Sequence, residues 1–407
     1  MSENTGRHEK PQKAHRAAWA PYNFVPLNDV VVEADYLPEQ EVPSFDKYNA
    51  EYLTGEIKYE LEVITPLHIG RGDTGEESKF FAPGGRVRIP GSTLRGMVRT
   101  LVEVVTWGKF SSFTDRRLYY RDVADSRSSL GRHYKRWMGR GVKAGYFRKE
   151  GGRYCIVPAR EENGRTFHRT EDYDLDCEFS YEPGEKYRVY SGYIKGKEAV
   201  WVINPPDDSR KRIYLTEEDL ALYKADTNRY KVGEDQEQND TKEARNNADQ
   251  RKKRDGNLLR MLDESEEGMV PCFYVENWVD SELNQRIVFG HTRYFRLPYQ
   301  RTIGEHVPEN LKEDKLDLAE AIFGKQGAFA SRVYFEDAEL LGGSKEVHEW
   351  VELNQRLDVP KPTCFQHYLR QPHGIKTLKH WDSAPEKAPI RGYKFYWHRE
   401  FQDSDPQ

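Results

Sequence analysis

Between residues 55 and 105 the spacing of apolar side chains changes from every second residue to every third or fourth, which restricts the chain to a fold mixing strands and helices. "GEIKYELEVITP" (55–66) puts Ile57, Tyr59, Leu61 and Val63 on one face and Lys58, Glu60 and Glu62 on the other. This alternation predicts a half-buried strand ended by Pro66. A glycine loop, "LHIGRGDTGEESK", and a short strand, "RVRI", follow. Then "IPGSTLRGMVRTLVEVV" (89–105) sets Leu94, Val98, Leu101, Val102 and Val105 on one helical stripe, with Ser92 as the expected N-cap after the Gly91 turn.

That helix carries an electrostatic anomaly. Its first turns carry Arg95 and Arg99, and the first acid on it is Glu103. A helix N-terminus already bears partial positive charge, so cations there are disfavoured unless an anion faces them. Two readings remain open: the arginines meet a bound phosphate, or they reach solvent or a carboxylate elsewhere in the fold.

Further along, "VFGHTRYFRLPY" and "SRVYFEDAELL" are expected strands, and "LDLAEAIFG" a short helix stopped by Gly324. Two segments between these parts match in spacing, "AGYFRKEGGRYCIVP" (144–158) and "SGYIKGKEAVWVINP" (191–205). They read as two related hairpins, two copies being too few for a stacked array. Residues 231–256 are almost devoid of apolar side chains and are expected to be disordered.

Composition excludes several classes. No segment approaches the roughly 18 apolar residues of a membrane span, and the polar N-terminus lacks an apolar signal region, so a soluble cytoplasmic protein is expected. The four cysteines lack paired spacing, and the lone Cys364-x-x-His367 is read as packing rather than zinc ligation. No phosphate-binding P-loop is present. A net charge of −5 argues against indiscriminate polyanion binding, yet residues 116–149 hold 11 Lys or Arg against two acids. Tyr119, Tyr120, Tyr134, Trp137, Tyr146 and Phe147 lie among these cations. Such a mixture suits single-stranded RNA; alternatively it is a solvated basic face whose rings belong to the core.

"ITPLHIGRGD", then "IPGSTLRGMVR", and much later "LAEAIFGKQGAFASRVYFEDAEL" resemble the RAMP superfamily of CRISPR-associated proteins. More narrowly they resemble backbone-type subunits of type III effector complexes, in a long, insertion-bearing subgroup also marked by "PYNFVPLNDVV" and "IRGYKFYWH". The resemblance implies an α+β fold with a ferredoxin-like (RRM-type) core, a large inserted β-rich region and a disordered loop. The expected organisation is a tail (1–20), a prefix (21–54), the first half of the core (55–115) and a basic, aromatic insertion (116–222). A charged insertion (223–284), the second half of the core (285–400) and a tail (401–407) follow.

The resemblance also implies partners and sites. The partners are a guide RNA (crRNA), target RNA and other CRISPR effector subunits in antiviral defence, with no membrane. Carried over by position, His68, Arg71, Ser92, Thr93, Arg95 and Arg99 become candidate guide contacts. Arg293 and Arg296, in "TRYFRLPYQR", form a second candidate RNA strip or else an edge strand with cationic flanks. Target-cleaving relatives place an aspartate in the loop before the Ile-Pro-Gly-Ser helix, to hold a divalent cation at the scissile phosphate. The best match here is Glu77, with Asp73 in the same loop, so these two are the candidate catalytic and Mg2+ (or other divalent metal) ligands. The rivals are a metal-independent endoribonuclease processing repeat RNA, which needs His68 or a tyrosine near a 2'-hydroxyl, and a general single-stranded RNA-binding protein.

Overall fold

The computed structural model of the chain describes residues 22–34, 53–64, 67–70, 80–111, 113–123, 127–170, 187–189, 200–226, 257–341, 364–372 and 378–396. The chain is α+β and divides into two compact units, residues 1–110, 309–356 and 391–407, and residues 111–308 and 357–390.

In the first unit, Tyr22–Val25 pairs antiparallel with Tyr393–Tyr396, and Arg88–Ile89 with Ala338–Glu339. Of "SRVYFEDAELL", only these last two residues join a ladder. The helix Gly91–Val105 forms where its 3.6-residue period predicts it, but its buried face is displaced from the expected stripe. Leu94 is buried, whereas Leu101 and Val105 are 45% and 70% exposed. Glu103 takes the inner position instead, because its carboxylate accepts the Tyr393 hydroxyl at 3.0 Å. Burial followed by Glu103 pushes the Tyr393 phenol up from its ordinary pKa.

The expected Ser92 cap is also corrected. Ser92 is exposed, Pro90 is the N-cap residue without a side-chain cap, and the Gly91 N–H donates to Asp337 Oδ1 at 2.8 Å. A carboxylate 246 positions away thus satisfies one of the orphan donors of this helix end. A Cβ on Gly91 would lie 2.1 Å from the Phe335 carbonyl oxygen, so only glycine permits this approach.

Leu318–Phe323 is the short helix expected there. Asp317 caps it, accepting the Glu320 N–H at 2.7 Å, and Gly324 ends it at φ +87°. The predicted strand at 55–66 is overturned over its described part. Residues 53–64 run without regular pairing, and Ile57, Tyr59, Leu61 and Val63 are exposed, Ile57 by 88%. Alternation shows that a segment is able to pair, but a strand also needs an edge to pair with. The described strands of this unit pair with one another in two-stranded ladders, and residues 53–64 join neither.

The second unit is built on a five-stranded antiparallel sheet. Its spatial order is Gln285–Gly290, Met269–Val279, Val142–Glu150, Arg153–Pro158 and Ile213–Tyr214. The hairpin expected at 144–158 forms, turning at Gly151 and Gly152, both at positive φ. Helices Glu217–Ala225 and Leu258–Asp263 cover the sheet, burying Phe147, Ile156, Tyr223, Leu258, Tyr274 and Phe289 together.

The segment matched to that hairpin, 191–205, is described only from Val200. Val200–Ile203 is the middle strand of a small sheet with Phe167–Thr170 and Tyr187–Val189. "VFGHTRYFRLPY" is not one strand: residues 291–296 turn between Gln285–Gly290 and Leu297–Thr302. The stretch expected to be disordered, 231–256, lies outside the described residues. Among the described residues no helix is long and apolar enough to cross a membrane.

Candidate nucleic-acid interface

The two arginines of the anomaly come together in the first unit. Arg95 and Arg99, one turn apart, line an open cleft of about 520 Å³ whose other wall is Phe323–Ser331, "FGKQGAFAS". Arg95 Nη2 donates to the Phe323 carbonyl at 2.6 Å, and its guanidinium stands 5.7 Å over the Phe323 ring. Arg99 Nη1 makes a longer contact, 3.4 Å, with the Gly324 carbonyl. The carbonyl end of one helix therefore takes up part of the positive charge near the start of another. This corrects the either-or expectation, since the protein itself supplies a partial anion.

The opposite wall is closed by backbone hydrogen bonds. Lys325 N–H donates to the Phe329 carbonyl, and the Ala328 and Phe329 N–H groups return to the Lys325 carbonyl, at 3.0–3.1 Å. A Cβ on Gly324 would sit 2.7 Å from Ser331 N, which fixes glycine at the bend. Lys325 Nζ meets Asp314 Oδ1 at 2.8 Å and holds that carboxyl below its ordinary pKa. The cleft thus holds two half-buried guanidinium groups opposite a loop whose ammonium is already paired with Asp314, and the guanidinium donors left over from the carbonyl contacts suit an oxyanion of roughly phosphate size.

The other carried-over positions are dispersed. Ser92 and Thr93 are exposed on the first turn of the Gly91–Val105 helix, outside the cleft lining. His68 is exposed, with its ring edge-on to Phe80 at 5.9 Å. It stands beside a pairing, Phe81 N–H to Ile69 carbonyl at 2.8 Å, that holds the ends of the glycine loop together. Arg71, Asp73 and Glu77 lie outside the described residues.

In the second unit the basic, aromatic tract separates by side-chain type. Tyr119, Tyr120, Tyr134, Tyr146 and Phe147 are buried, leaving half-buried Trp137 as the one ring of the six at the surface. The core reading of these rings is the correct one. Arg132, Lys135, Arg136 and Lys143 remain exposed.

Two further groupings escaped the sequence. Trp137 Nε1–H donates to His133 Nε2 at 3.2 Å, so the His133 proton resides on Nδ1 and is directed at the Tyr120 hydroxyl, 2.7 Å away. Tyr299, His380 and Asp382 complete this polar cluster. Burial lowers the pKa of both histidines, His380 to about 4, and raises Asp382 to about 7. The phenols are sealed, Tyr120 at 6% and Tyr299 at 1% exposure, so the cluster behaves as a buried polar network rather than an open acid–base site.

The second grouping surrounds Arg293. Its guanidinium lies 4.6 Å from the ring of Tyr294, 5.3 Å from Phe167 and 5.4 Å from Trp201. Arg296, in contrast, faces the buried carboxylate of Asp226 at 3.7 Å. The two arginines of the second candidate strip are thus in different situations.

Comparison with known protein families matches residues 60–405 to the RAMP superfamily. The chain belongs to the RAMP superfamily. This superfamily is associated with RNA-binding subunits of CRISPR systems. No curated protein matches the chain.

Proposed function

We propose that this RAMP protein is a guide-RNA-binding structural subunit of a type III CRISPR surveillance complex, acting in target RNA recognition for antiviral defence from the cytoplasm. The observation that carries the reading is the cleft lined by Arg95 and Arg99. Two arginines on one helix face a loop closed by its own backbone hydrogen bonds, and each uses one guanidinium nitrogen in its contact with a helix-end carbonyl. Carbonyl dipoles neutralise only part of two full charges, and a backbone phosphate supplies the remainder. His68, Arg71, Ser92 and Thr93 extend the same interface in this reading. A ferredoxin-like core belongs to it as well, with the Gly91–Val105 helix and the Arg88–Ile89 and Tyr393–Tyr396 strands among its parts.

Target cleavage, where it occurs, uses Mg2+ or another divalent ion held by Asp73 or Glu77. The deciding experiment is purification of the chain with its neighbouring CRISPR subunits. A defined guide in the particle, lost with Arg95→Ala/Arg99→Ala, supports the reading; a particle that retains its guide opposes it. Alanine at Asp73 or Glu77 in that particle removes one cut from the divalent-dependent target ladder if the residue holds a metal, and leaves the ladder intact if the subunit only binds.

A further inference from the structure

Arg293 is 7% exposed, and its Nε and Nη1 are buried without a hydrogen-bond partner. Among the described residues it forms no ion pair. A buried charge without a carboxylate is costly, and a buried guanidinium with idle donors costs more than one left in water. Three aromatic faces within 6 Å offset part of that cost. They cannot satisfy planar N–H donors, which require oxygen atoms.

The rings point to the missing partner. Phe167 and Trp201 are half-buried and Tyr294 is 37% exposed, so each keeps surface towards solvent while standing against the cation. Phe167 meets Trp201 edge-to-face at 5.5 Å, and Trp201 meets Tyr294 at 6.3 Å with planes 73° apart. They come from three separate segments: the strands Phe167–Thr170 and Val200–Ile203, and the turn at 291–296. A hydrophobic core would bury such rings fully and leave out the cation.

We propose that Arg293, Phe167, Trp201 and Tyr294 form a subsite for one unstacked nucleotide of single-stranded RNA, with its phosphate on the guanidinium and its base on the Trp201 or Tyr294 ring. The proposal rests on the RNA-binding reading of the chain but uses a different unit from the Arg95 cleft. Access to the guanidinium is through Tyr294, the most exposed of the three rings, which swings aside to admit a phosphate oxygen. Stacking is indifferent to base identity, so the subsite holds RNA without reading its sequence.

The test uses the full chain with a 12-nucleotide oligouridylate and an abasic oligonucleotide of equal length and charge. Trp201→Leu is expected to weaken the oligouridylate about ten-fold and leave the abasic strand unchanged, since one stack is lost. Arg293→Met is expected to weaken both and to lower the salt slope of binding by about 0.7, as for one phosphate on a single strand. Ultraviolet crosslinking of the wild-type protein to oligouridylate, read by peptide mass spectrometry, should label Trp201 or Tyr294 and needs no folded variant. Binding that depends on Arg95 and Arg99 but is unaltered by Trp201→Leu, with no crosslink at either ring, overturns the subsite alone. Failure of the wild-type chain to bind either strand overturns the RNA-binding reading and the subsite with it.

Discussion

Arg95 donates to the main-chain carbonyl of Phe323 at 2.6 Å, across 228 residues of sequence. The contact links a cation in the second turn of one helix to the carbonyl end of another, and it gives Arg95 a structural duty in addition to any ligand. A charged hydrogen bond of this kind contributes about 1.5–3 kcal/mol, and partial exposure puts Arg95 at the low end. Arg95→Ala is therefore expected to cost about 1–2 kcal/mol in urea unfolding, and Arg99→Ala less, its contact being 3.4 Å long. RNA affinity should fall in both, with the salt slope lower by about 0.7 per arginine. Arg99→Ala is the sharper probe, because a loss of RNA binding without a loss of stability separates the two roles. Unchanged affinity and slope in the double variant would count against phosphate in the cleft.

The exposed segment 53–64 gives a second prediction. Ile57 is 88% exposed and Leu61 43%, so Ile57→Asp and Leu61→Asp should each move the unfolding free energy by no more than about 0.5 kcal/mol. Leu94→Asp, at a position 5% exposed, should cost several times more. Comparable losses at 61 and 94 would show that the segment is buried in solution.

These two cases show how much was legible in the sequence. The Gly91–Val105 helix and the 144–158 hairpin were readable because their signals are local: a 3.6-residue period in one, a Gly-Gly turn between alternating strands in the other. The cap on the helix was not, since its acceptor is Asp337. Over 55–64 the alternation misled, because it reports which face a segment could bury and not whether the segment pairs. Arg95 and Arg99 were visible as an electrostatic oddity, while the Phe323–Ser331 wall that explains their placement comes from distant chain. In the same way Arg293 stood out in sequence, but Phe167 and Trp201 reach it through strand pairing that no local pattern encodes.

A third prediction concerns Lys109 and Glu320, whose charged atoms lie 2.7 Å apart with side chains 9% and 12% exposed. Removing one member leaves the other charge buried and alone, so Lys109→Met or Glu320→Leu singly should cost about 3–5 kcal/mol. Replacing both with apolar groups should cost less than either alone. A double-variant loss equal to the sum of the singles would show that the two charges do not interact.

The last prediction is the pH dependence of the second unit, where two groups pull in opposite directions. Burial raises Asp382 from an ordinary 3.8 to about 7, against the lowering effects of hydrogen bonds from Gln300 and Arg301 and of the charges on Arg117 and Arg301. Its protonated form is favoured in the fold, so this contribution is fully present below pH 4 and is lost as pH rises through about 7. Burial lowers His380 from 6.5 to about 4, with His133, His306 and Lys379 adding to the effect. The Asp382 N–H donates to His380 Nδ1 at 3.2 Å, which places the ring proton on Nε2, facing Ser129 Oγ at 3.2 Å. The neutral ring is favoured, so the His380 contribution is present above pH 6.5 and is lost as pH falls towards 4. Between those limits the two offset each other, and above pH 6.5 only the Asp382 decline remains. Asp382→Asn should accordingly gain stability relative to wild type on going from pH 5 to pH 8, and His380→Gln should gain on going from pH 8 to pH 5, both read by urea unfolding at the two pH values. A wild-type-minus-variant difference that stays constant with pH in either case would place that group's titration outside the folded state's control.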